Sequence, residues 1–460
     1  MSVISLALLY RQFMKLTAFW RKISRNRKKL AKNKSSAPDI ISRSDHAISR
    51  KEMSEYALKV LYRLKKAKYD GFLVGGGVRD ILLGLKPKDF DVATNATPEQ
   101  VRQLFGNCRL IGRRFRLAHV HFGREIIEVA TFRAAHNQSE NQRNADGVTK
   151  DGMIVRDNVY GTLEDDAWRR DFTINALYYN IYDFSIVDYT GGLKDIENKT
   201  IRIIGDADER LQEDPVRMLR AVRFAAKLNF KIESGLSASI KKNIHLLDGV
   251  PAARLFEEVL KLFLHGHALA SYELLKEYDL LKHLFSQTAK YLNETSDRFV
   301  TQALINTDLR VKQKKPIAPA FLYAALLWPA VKHKANELKP ENLTLLQVYQ
   351  ISGQEVLEDQ LKQILIPKRF GIPMREIWTM QARLASRKGK RPLKLLPAPR
   401  FRASYDFLLL REQSGETQLT ELCQWWTKIQ TVSEEEQLTM CKNISAPRKG
   451  KSQKTPKNKQ

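Results

Sequence analysis

Residues 71–92 read GFLVGGGVRDILLGLKPKDFDV. Phe72, Leu73 and Val74 form a short apolar run that breaks into Gly75, Gly76 and Gly77. This predicts a strand, a tight turn and then a short helix carrying Val78, Ile81 and Leu82. A second strand holds Asp89, Phe90 and Asp91. Side chains alternate along a strand, so the two aspartates are expected on one face and Phe90 on the other. Converging carboxylates repel, which raises one pKa unless a cation lies between them, and hard oxygen donors suit Mg²⁺. Glycines let backbone N–H groups approach a phosphate closely, and a helix start adds partial positive charge there. Gly75 and Gly76 are therefore candidate phosphate contacts, and Asp89 and Asp91 candidate catalytic metal ligands. A glycine turn alone is ordinarily just a turn, and Asp-x-Asp alone ordinarily a solvated loop. Their order and closeness carry the inference.

Upstream, Tyr56, Val60, Leu61 and Leu64 recur at helical spacing. Downstream, Thr97 and Pro98 have the residue types of an N-cap and a first helical position. Residues 108–123 (CRLIGRRFRLAHVHFG) and 124–133 (REIIEVATFR) predict a hairpin about Gly123. In the second segment Glu128 shares a face with Ile126 and Ala130, and a lone carboxylate among apolar neighbours is costly unless a cation meets it. Glu128 is thus a candidate third carboxylate, against the alternative of an edge-strand Glu in solvent. Residues 136–157 are polar and aperiodic, which predicts a loop over or beside the site. Next come Arg169, Arg170 and Asp171, before an apolar helix or strand. Arg170 is a candidate triphosphate contact. Asp171 has three open roles: metal ligand, orienter of the arginines, or a buried ion pair under the pocket.

Two short strands about Gly191 and Gly192 close this part. Residues 213–224, EDPVRMLRAVRF, place Arg217, Arg220 and Arg223 three apart on one helix, with Asp214 three residues ahead. A carboxylate accepts from the adenine amino group and a guanidinium donates to the ring nitrogen, as a template base does. Cytosine presents a similar edge, so the Asp214/Arg217 pair suits either base.

Gly-Gly-x-Val-Arg-Asp before Asp-x-Asp, then Arg-Arg-Asp-Phe-Thr-x-Asn-Ala, then Glu-Asp-x-x-Arg-x-x-Arg-Ala-x-Arg-Phe stand in that order between residues 71 and 230. Together they resemble the class II nucleotidyltransferases of the DNA polymerase β superfamily. No Gly-Lys-[Ser/Thr] follows the glycines, so the turn is not a Walker loop. The resemblance implies an α+β chain: a polymerase-β-like head with a mixed sheet, then an all-helical neck, body and tail. It implies two Mg²⁺ ions held by Asp89 and Asp91, helped by Glu128 or Asp171. It also implies phosphate contacts from Gly76 and Arg79, and selection of the incoming nucleotide by Asp214, Arg217, Arg220 and Arg223.

The class contains CCA-adding tRNA enzymes and bacterial poly(A) polymerases. LIGRRFRLAHV, with its doubled Arg113 and Arg114, and the arginine-rich C-terminal third resemble the poly(A) branch. The activity so implied is template-independent addition of AMP from ATP to the 3′ ends of RNA (mRNA, small RNA, tRNA), with release of pyrophosphate and promotion of RNA turnover. The alternatives are CCA addition to tRNA and, from another class, a non-catalytic RNA-binding scaffold. The intact Asp-x-Asp pair argues against the scaffold.

The chain has 460 residues, enough for about three modules. Its 78 Lys+Arg against 51 Asp+Glu leave a formal net charge of +27, which makes a polyanion the expected partner. Cys108, Cys423 and Cys441 form neither a CxxC pair nor an even framework, which suits a reducing compartment and excludes a structural zinc site. The expected divisions are a basic disordered or amphipathic extension over 1–50, the catalytic head over 51–205, the neck over 206–265 and a helical body over 266–345. An arginine-rich helical RNA-binding region over 346–443 and a basic disordered tail over 444–460 follow. Arg113, Arg114, Arg387, Arg391, Arg400 and Arg402 are the candidate RNA contacts. Phe401 and Tyr405, four apart on a helix, read as core rather than as stacking platforms, as do Trp425 and Trp426. The N-terminal apolar residues are interrupted by Arg11 and Lys15, which argues against a signal peptide. The expected location is cytoplasmic, with weak peripheral contact to the inner membrane through the basic N-terminus and contacts to RNA-decay proteins.

Overall fold

The computed structural model describes residues 37–112, 116–134, 149–150, 153–154, 160–338 and 343–442. Arg113, Arg114, most of the polar stretch after residue 135, and the basic N-terminal and C-terminal segments lie outside the described residues. The chain forms two compact units that divide between Leu246 and Leu247, inside the interval expected to be neck.

The first unit starts with β1 (Asp39–Ile41) and α1 (Glu55–Lys66), whose Ser54 cap accepts a hydrogen bond from the Tyr56 N–H. Ala57, Val60, Leu61 and Leu64 are its buried stripe, as the spacing predicts. β2 (Phe72–Val74) leads through Gly75 into α2 (Gly76–Leu82), followed by β3 (Asp91–Thr94) and α3 (Pro98–Leu104). Thr97 and Gln100 close a reciprocal capping box on α3. Residues 108–123 form two antiparallel strands rather than one: β4 (Cys108–Ile111) and β5 (Leu117–Phe122). β6 (Glu125–Thr131) completes the expected hairpin about Gly123. β7 (Thr149–Lys150) pairs with β8 (Met153–Ile154), and α4 (Leu163–Arg169), β9 (Leu177–Asn180) and β10 (Ile186–Asp188) follow.

Gly191 and Gly192 do not join two strands directly, as expected, but start α5 (Gly192–Glu197) ahead of β11 (Thr200–Ile201). The cause is Asp188, whose carboxylate accepts from the backbone N–H groups of Thr190, Gly191, Gly192 and Leu193. A Cβ on Gly192 would lie 2.1 Å from the Thr173 carbonyl oxygen, so only glycine fits there. The neck helices α6 (Ala207–Glu213), α7 (Val216–Leu228) and α8 (Ser234–Asn243) belong to this unit, with β12 (Lys231–Ile232) pairing parallel to β11.

The main sheet runs β1-β10-β9-β2-β3-β6-β5-β4. Every neighbouring pair is antiparallel except β3 and β6, so the sheet is mixed. Phe72, Val74, Ala93, Phe132, Ala167 and Tyr178 pack on one face of its centre. Burying side chains the size of Phe72, Val74 and Phe132 contributes about 1.5–3 kcal/mol each, and the two alanines less.

The second unit is helical: α9 (Ala252–Phe263), α10 (Ala268–Glu277), α11 (Leu281–Leu284), α12 (Ser286–Tyr291), α13 (Glu294–Lys312), α14 (Pro319–Glu337), α15 (Leu345–Gln363), α16 (Lys368–Leu384), α17 (Arg391–Leu395), α18 (Phe401–Gln413), α19 (Thr420–Ile429) and α20 (Glu434–Lys442). Leu255, Phe256, Val259, Leu262 and Phe263 bury one stripe of α9 at helical spacing. Phe401, Tyr405 and Trp426 lie in the core shared by α16 to α20, with Trp425 packed against it. That places them where the spacing expects. All three cysteines are buried and unpaired with one another.

Candidate active site

Gly75 has φ +73°, a conformation that side-chain-bearing residues rarely adopt, and it lets the chain turn from β2 into α2. A Cβ there would lie 3.5 Å from Arg170 Nη1 and 3.9 Å from Asp91 Oδ2. The glycine turn, the guanidinium and the carboxylate thus share one corner. A Cβ on Gly77 would sit 3.5 Å from the Asp89 carbonyl and from the Phe90 ring, so α2 starts directly on the acidic segment.

Asp89 and Asp91 are exposed and Phe90 is buried, the alternation the sequence predicts; Asp89 itself lies just before β3. Register then extends the acidic row. Asp91 faces Glu128 across the parallel β3/β6 pair, Glu128 faces His119 across β6/β5, and His119 faces Arg109 across β5/β4. His119 Nε2 is 3.6 Å from Glu128 Oε1. Glu128 is expected among apolar neighbours; instead its side chain is 51% exposed, because that face of β6 is the open one. Strand register, not burial, places it beside Asp91.

Although Asp91 as a residue is exposed, the protein crowded around its carboxyl displaces water and pushes it up to about 6, with Glu128 next and Asp89 adding to both while Arg170 opposes them. Among the described residues no group of three or more His, Cys, Asp or Glu side chains closes into a metal cage. The donors are an open row of carboxylates, a set suited to a hard divalent cation that completes its shell with water or phosphate oxygens.

Around this row the arginines are tied down. Arg170 donates from Nη2 to Asp166 Oδ2 at 2.9 Å and from Nε to the Tyr178 hydroxyl at 2.9 Å, and that hydroxyl donates to the same Asp166 oxygen at 2.7 Å. Asp171 accepts from Arg220 Nε at 2.7 Å, from the Phe172 N–H at 2.8 Å and from Asn175 Nδ2 at 3.1 Å. Burial works to raise its pKa, but Arg220 and these two further donors win and hold it below the usual carboxylate range. Of the three roles open to Asp171, the geometry shows the ion pair that orients Arg220.

Arg79 departs from the expected phosphate contact. It is 2% exposed; Nε and Nη2 donate to Asp80 Oδ1 at 2.8 and 2.6 Å, and Nη1 donates to Asn175 Oδ1 at 2.5 Å. Asp80 also accepts from Lys227 on α7 at 2.8 Å, which couples the glycine-turn helix to the neck. The reason is local: an Asp directly follows the Arg in α2, and both are buried. The half-buried Phe224 ring lies within 5.0 to 5.4 Å of the guanidinium carbons of Arg223, Arg79 and Arg220.

Asp214 accepts from the Val216 N–H at 3.2 Å and so shapes the start of α7. Arg217 donates from Nη1 to the Arg210 carbonyl at 2.5 Å and to Glu213 at 2.8 Å. The guanidinium therefore folds back on α6. Arg210 in turn donates from Nη2 to the Arg169 and Arg170 carbonyls at 2.6 and 2.7 Å, tying the neck to the Arg-Arg-Asp segment.

Asn175, Asp166, Tyr178, Arg210 and Phe224 are missed by sequence reasoning as site residues. Asp166 had a signal, four residues before Arg170 on a helix. Tail arginines Arg387, Arg400 and Arg402 pair with Glu421, Glu376 and Asp406, while Arg391 opens α17 and is exposed.

A mixed sheet with a glycine turn, an acidic strand and an arginine-bearing neck has the architecture of a polymerase-β-like nucleotidyltransferase. Residues 71–202 match a family model described as the poly A polymerase head domain. Residues 229–292 match the probable RNA and SrmB-binding site of polymerase A, and 341–460 its arginine-rich C-terminus. The chain is 48% identical over 451 residues to Poly(A) polymerase I of Salmonella typhimurium, covering 96% of this chain and 97% of that one. It is 44% identical over 398 residues to Poly(A) polymerase I of Haemophilus influenzae, covering 85% and 88%. A solved Thermotoga maritima CCA-adding enzyme complexed with tRNA has the same fold at TM-score 0.59 and 19% identity, covering 88% of this chain and 91% of that one. The chain belongs to the poly(A) polymerase I family.

Proposed function

We propose that this enzyme extends RNA 3′ ends without a template, joining AMP from ATP to the terminal hydroxyl and releasing pyrophosphate. The observation that carries the mechanism is the register of Asp91 against Glu128 beneath the glycine turn, with Arg170 in the same corner. Asp89 and Asp91, with Glu128 alongside, fit a pair of Mg²⁺ ions, which when bound activate the 3′-hydroxyl and neutralise the triphosphate. The backbone at Gly75 and Gly76 admits the triphosphate closely, since neither residue presents a side chain. Arg170, fixed by Asp166 and Tyr178, supplies positive charge from a preset direction and so reorganises little during transfer. Asp171 does the same for Arg220 by ion pairing. Base selection falls to Asp214 and Arg217, for which Arg217 must exchange Glu213 for the adenine edge.

Similarity along the full chain, including the arginine-rich C-terminus, favours poly(A) over CCA addition. The test is extension of a labelled RNA lacking a tRNA fold, with Mg²⁺ and ATP or CTP supplied separately. Long tails from ATP alone are expected. Addition confined to completing CCA on tRNA would overturn the assignment. The match of residues 229–292 to a probable RNA and SrmB-binding site supports contact with RNA, and contact with RNA-decay proteins is part of the proposal. A cytoplasmic location rests on the three unpaired cysteines and the interrupted N-terminal apolar run, and peripheral attachment to an anionic membrane on the net charge of +27. Co-sedimentation with anionic vesicles tests the attachment. No helix among the described residues is long and apolar enough to cross a membrane.

A further inference from the structure

We propose that the second unit carries a groove that holds single-stranded RNA, formed by α13, the turn after it, α14 and α18. The proposal rests on the reading of RNA as substrate and goes beyond it by naming where the strand lies. The groove encloses about 700 Å³. Four cations line it, Arg310, Lys315, Arg400 and Arg402, against one carboxylate, Asp406. That imbalance selects a polyanion.

The way each cation is held favours exchange with phosphate. Arg310 donates from Nε and Nη2 to the Pro316 carbonyl at 3.1 and 2.7 Å, a partner that positions the guanidinium without neutralising its charge. Arg402 is 74% exposed while bridging to Asp406 at 3.0 Å, and such solvent-screened pairs are weak. Arg400, paired with Glu376 at 3.2 Å, sits at φ +71° ahead of α18. A glycine would meet less strain there, yet arginine keeps a charged group on the lip.

Between the cations the lining is apolar. Leu309 is 49% exposed on α13, and Phe321 is only partly covered on α14. Apolar and aromatic surface flanked by phosphate-binding cations matches a strand whose unpaired bases turn inward and whose backbone follows the rim. A duplex does not expose its bases this way.

The test is titration of full-length protein with a twenty-nucleotide oligoadenylate at several salt concentrations. One variant carries Arg310→Ala, Lys315→Ala, Arg400→Ala and Arg402→Ala; a second carries Leu309→Gln. Lys362→Ala removes an exposed charge on α15, away from the groove, and serves as control. Each phosphate contact contributes about 0.7 to the slope of log affinity against log salt for single strands. The quadruple variant should bind at least about tenfold more weakly, with a slope lower by roughly two to three. Leu309→Gln should weaken binding severalfold at unchanged slope. Neither should alter the KM for ATP, and circular dichroism should confirm folding. Unchanged affinity and slope in a folded quadruple variant would overturn the proposal, as would an equal loss in Lys362→Ala. So would loss of a co-purifying acidic protein with RNA binding intact, which would make the groove a protein-docking surface. Failure of the polyadenylation reading shows separately, as absent ATP-dependent extension by the unaltered enzyme.

Discussion

Arginine does opposite work in the two units. In the first, Arg79, Arg170 and Arg220 are each locked to a carboxylate that is itself nearly inaccessible: Asp80, Asp166 and Asp171. In the second, Arg387, Arg400 and Arg402 pair with acids that reach well into solvent. A desolvated, hydrogen-bonded guanidinium has a fixed direction and is costly to unpair. A screened one supplies charge at a place, and its partner is exchangeable. Position matters in the head, and the sum of charge matters along the groove. One pair crosses the divide: Arg411 and Glu416 in the second unit are buried, with side chains 10% and 9% exposed.

The largest effect tests the acidic row that the locked arginines surround. Asp89→Asn or Asp91→Asn should reduce AMP transfer by about a thousandfold or more with an unchanged circular dichroism spectrum, as expected if these carboxylates hold divalent metal. Near-normal turnover in either variant would refute the site. Asp91 also links to stability. Its folded pKa near 6 lies above its ordinary 3.8, so the protonated form favours the native state. That stabilisation is complete below the ordinary value and disappears as pH rises through about 6. Without divalent metal, Asp91→Asn should therefore melt higher than the parent at pH 8 and lose that advantage towards pH 4. Added Mg²⁺ should raise the melting temperature of the parent only.

Arg411→Met comes next. It leaves Glu416 buried with Lys332 as its remaining cation, and the cost should be about 3 kcal/mol in urea unfolding. A cost below 1 kcal/mol would show that burial does not separate the two kinds of arginine. Arg220→Lys keeps the charge but loses the two-pronged contact with Asp171, and kcat should fall by about ten- to a hundredfold. Combined with Asp171→Asn, it should show clear non-additivity, since the two residues act through one contact. His119→Gln should have the smallest effect. It removes one cross-strand partner of Glu128, a pair worth up to about 1 kcal/mol, so kcat should drop no more than about fivefold.

What the sequence discloses follows from how far each feature reaches along the chain. The Asp89-Phe90-Asp91 alternation, the α1 stripe, the β5/β6 hairpin and the core positions of Phe401, Tyr405 and Trp426 all rest on periods of two or four residues. The acidic row rests on a parallel pairing of strands more than thirty residues apart. Alternation isolates Glu128 from its neighbours in sequence but does not tell which face of β6 is covered. Asp171 and Arg79 are legible as polar residues beside glycine and arginine motifs. Their bonds to Arg220 and Asn175 span 49 and 96 residues, and only the fold brings them together. The turn of Arg217 onto Glu213 is four residues long but crosses the break between α6 and α7, and an arginine spacing of three says nothing of where each guanidinium turns.

The strand order has a consequence for synthesis. β2 is flanked by β3 on one edge and β9 on the other, and β1 waits for β10. A chain leaving the ribosome holds its glycine turn, Asp89 and Asp91 roughly ninety to a hundred residues before the strand that seals β2 exists. During that interval Phe72, Leu73 and Val74, all buried in the finished head, sit on an open, pairing-competent edge, the kind of surface that recruits other nascent chains. The segment that closes the edge, from α4 through β10, also delivers Arg170, Asp171 and Asn175. The stretch that protects β2 from aggregation therefore also brings the arginine and aspartate that stand beside the acidic row, whereas Arg217 and Arg220 follow only with the neck.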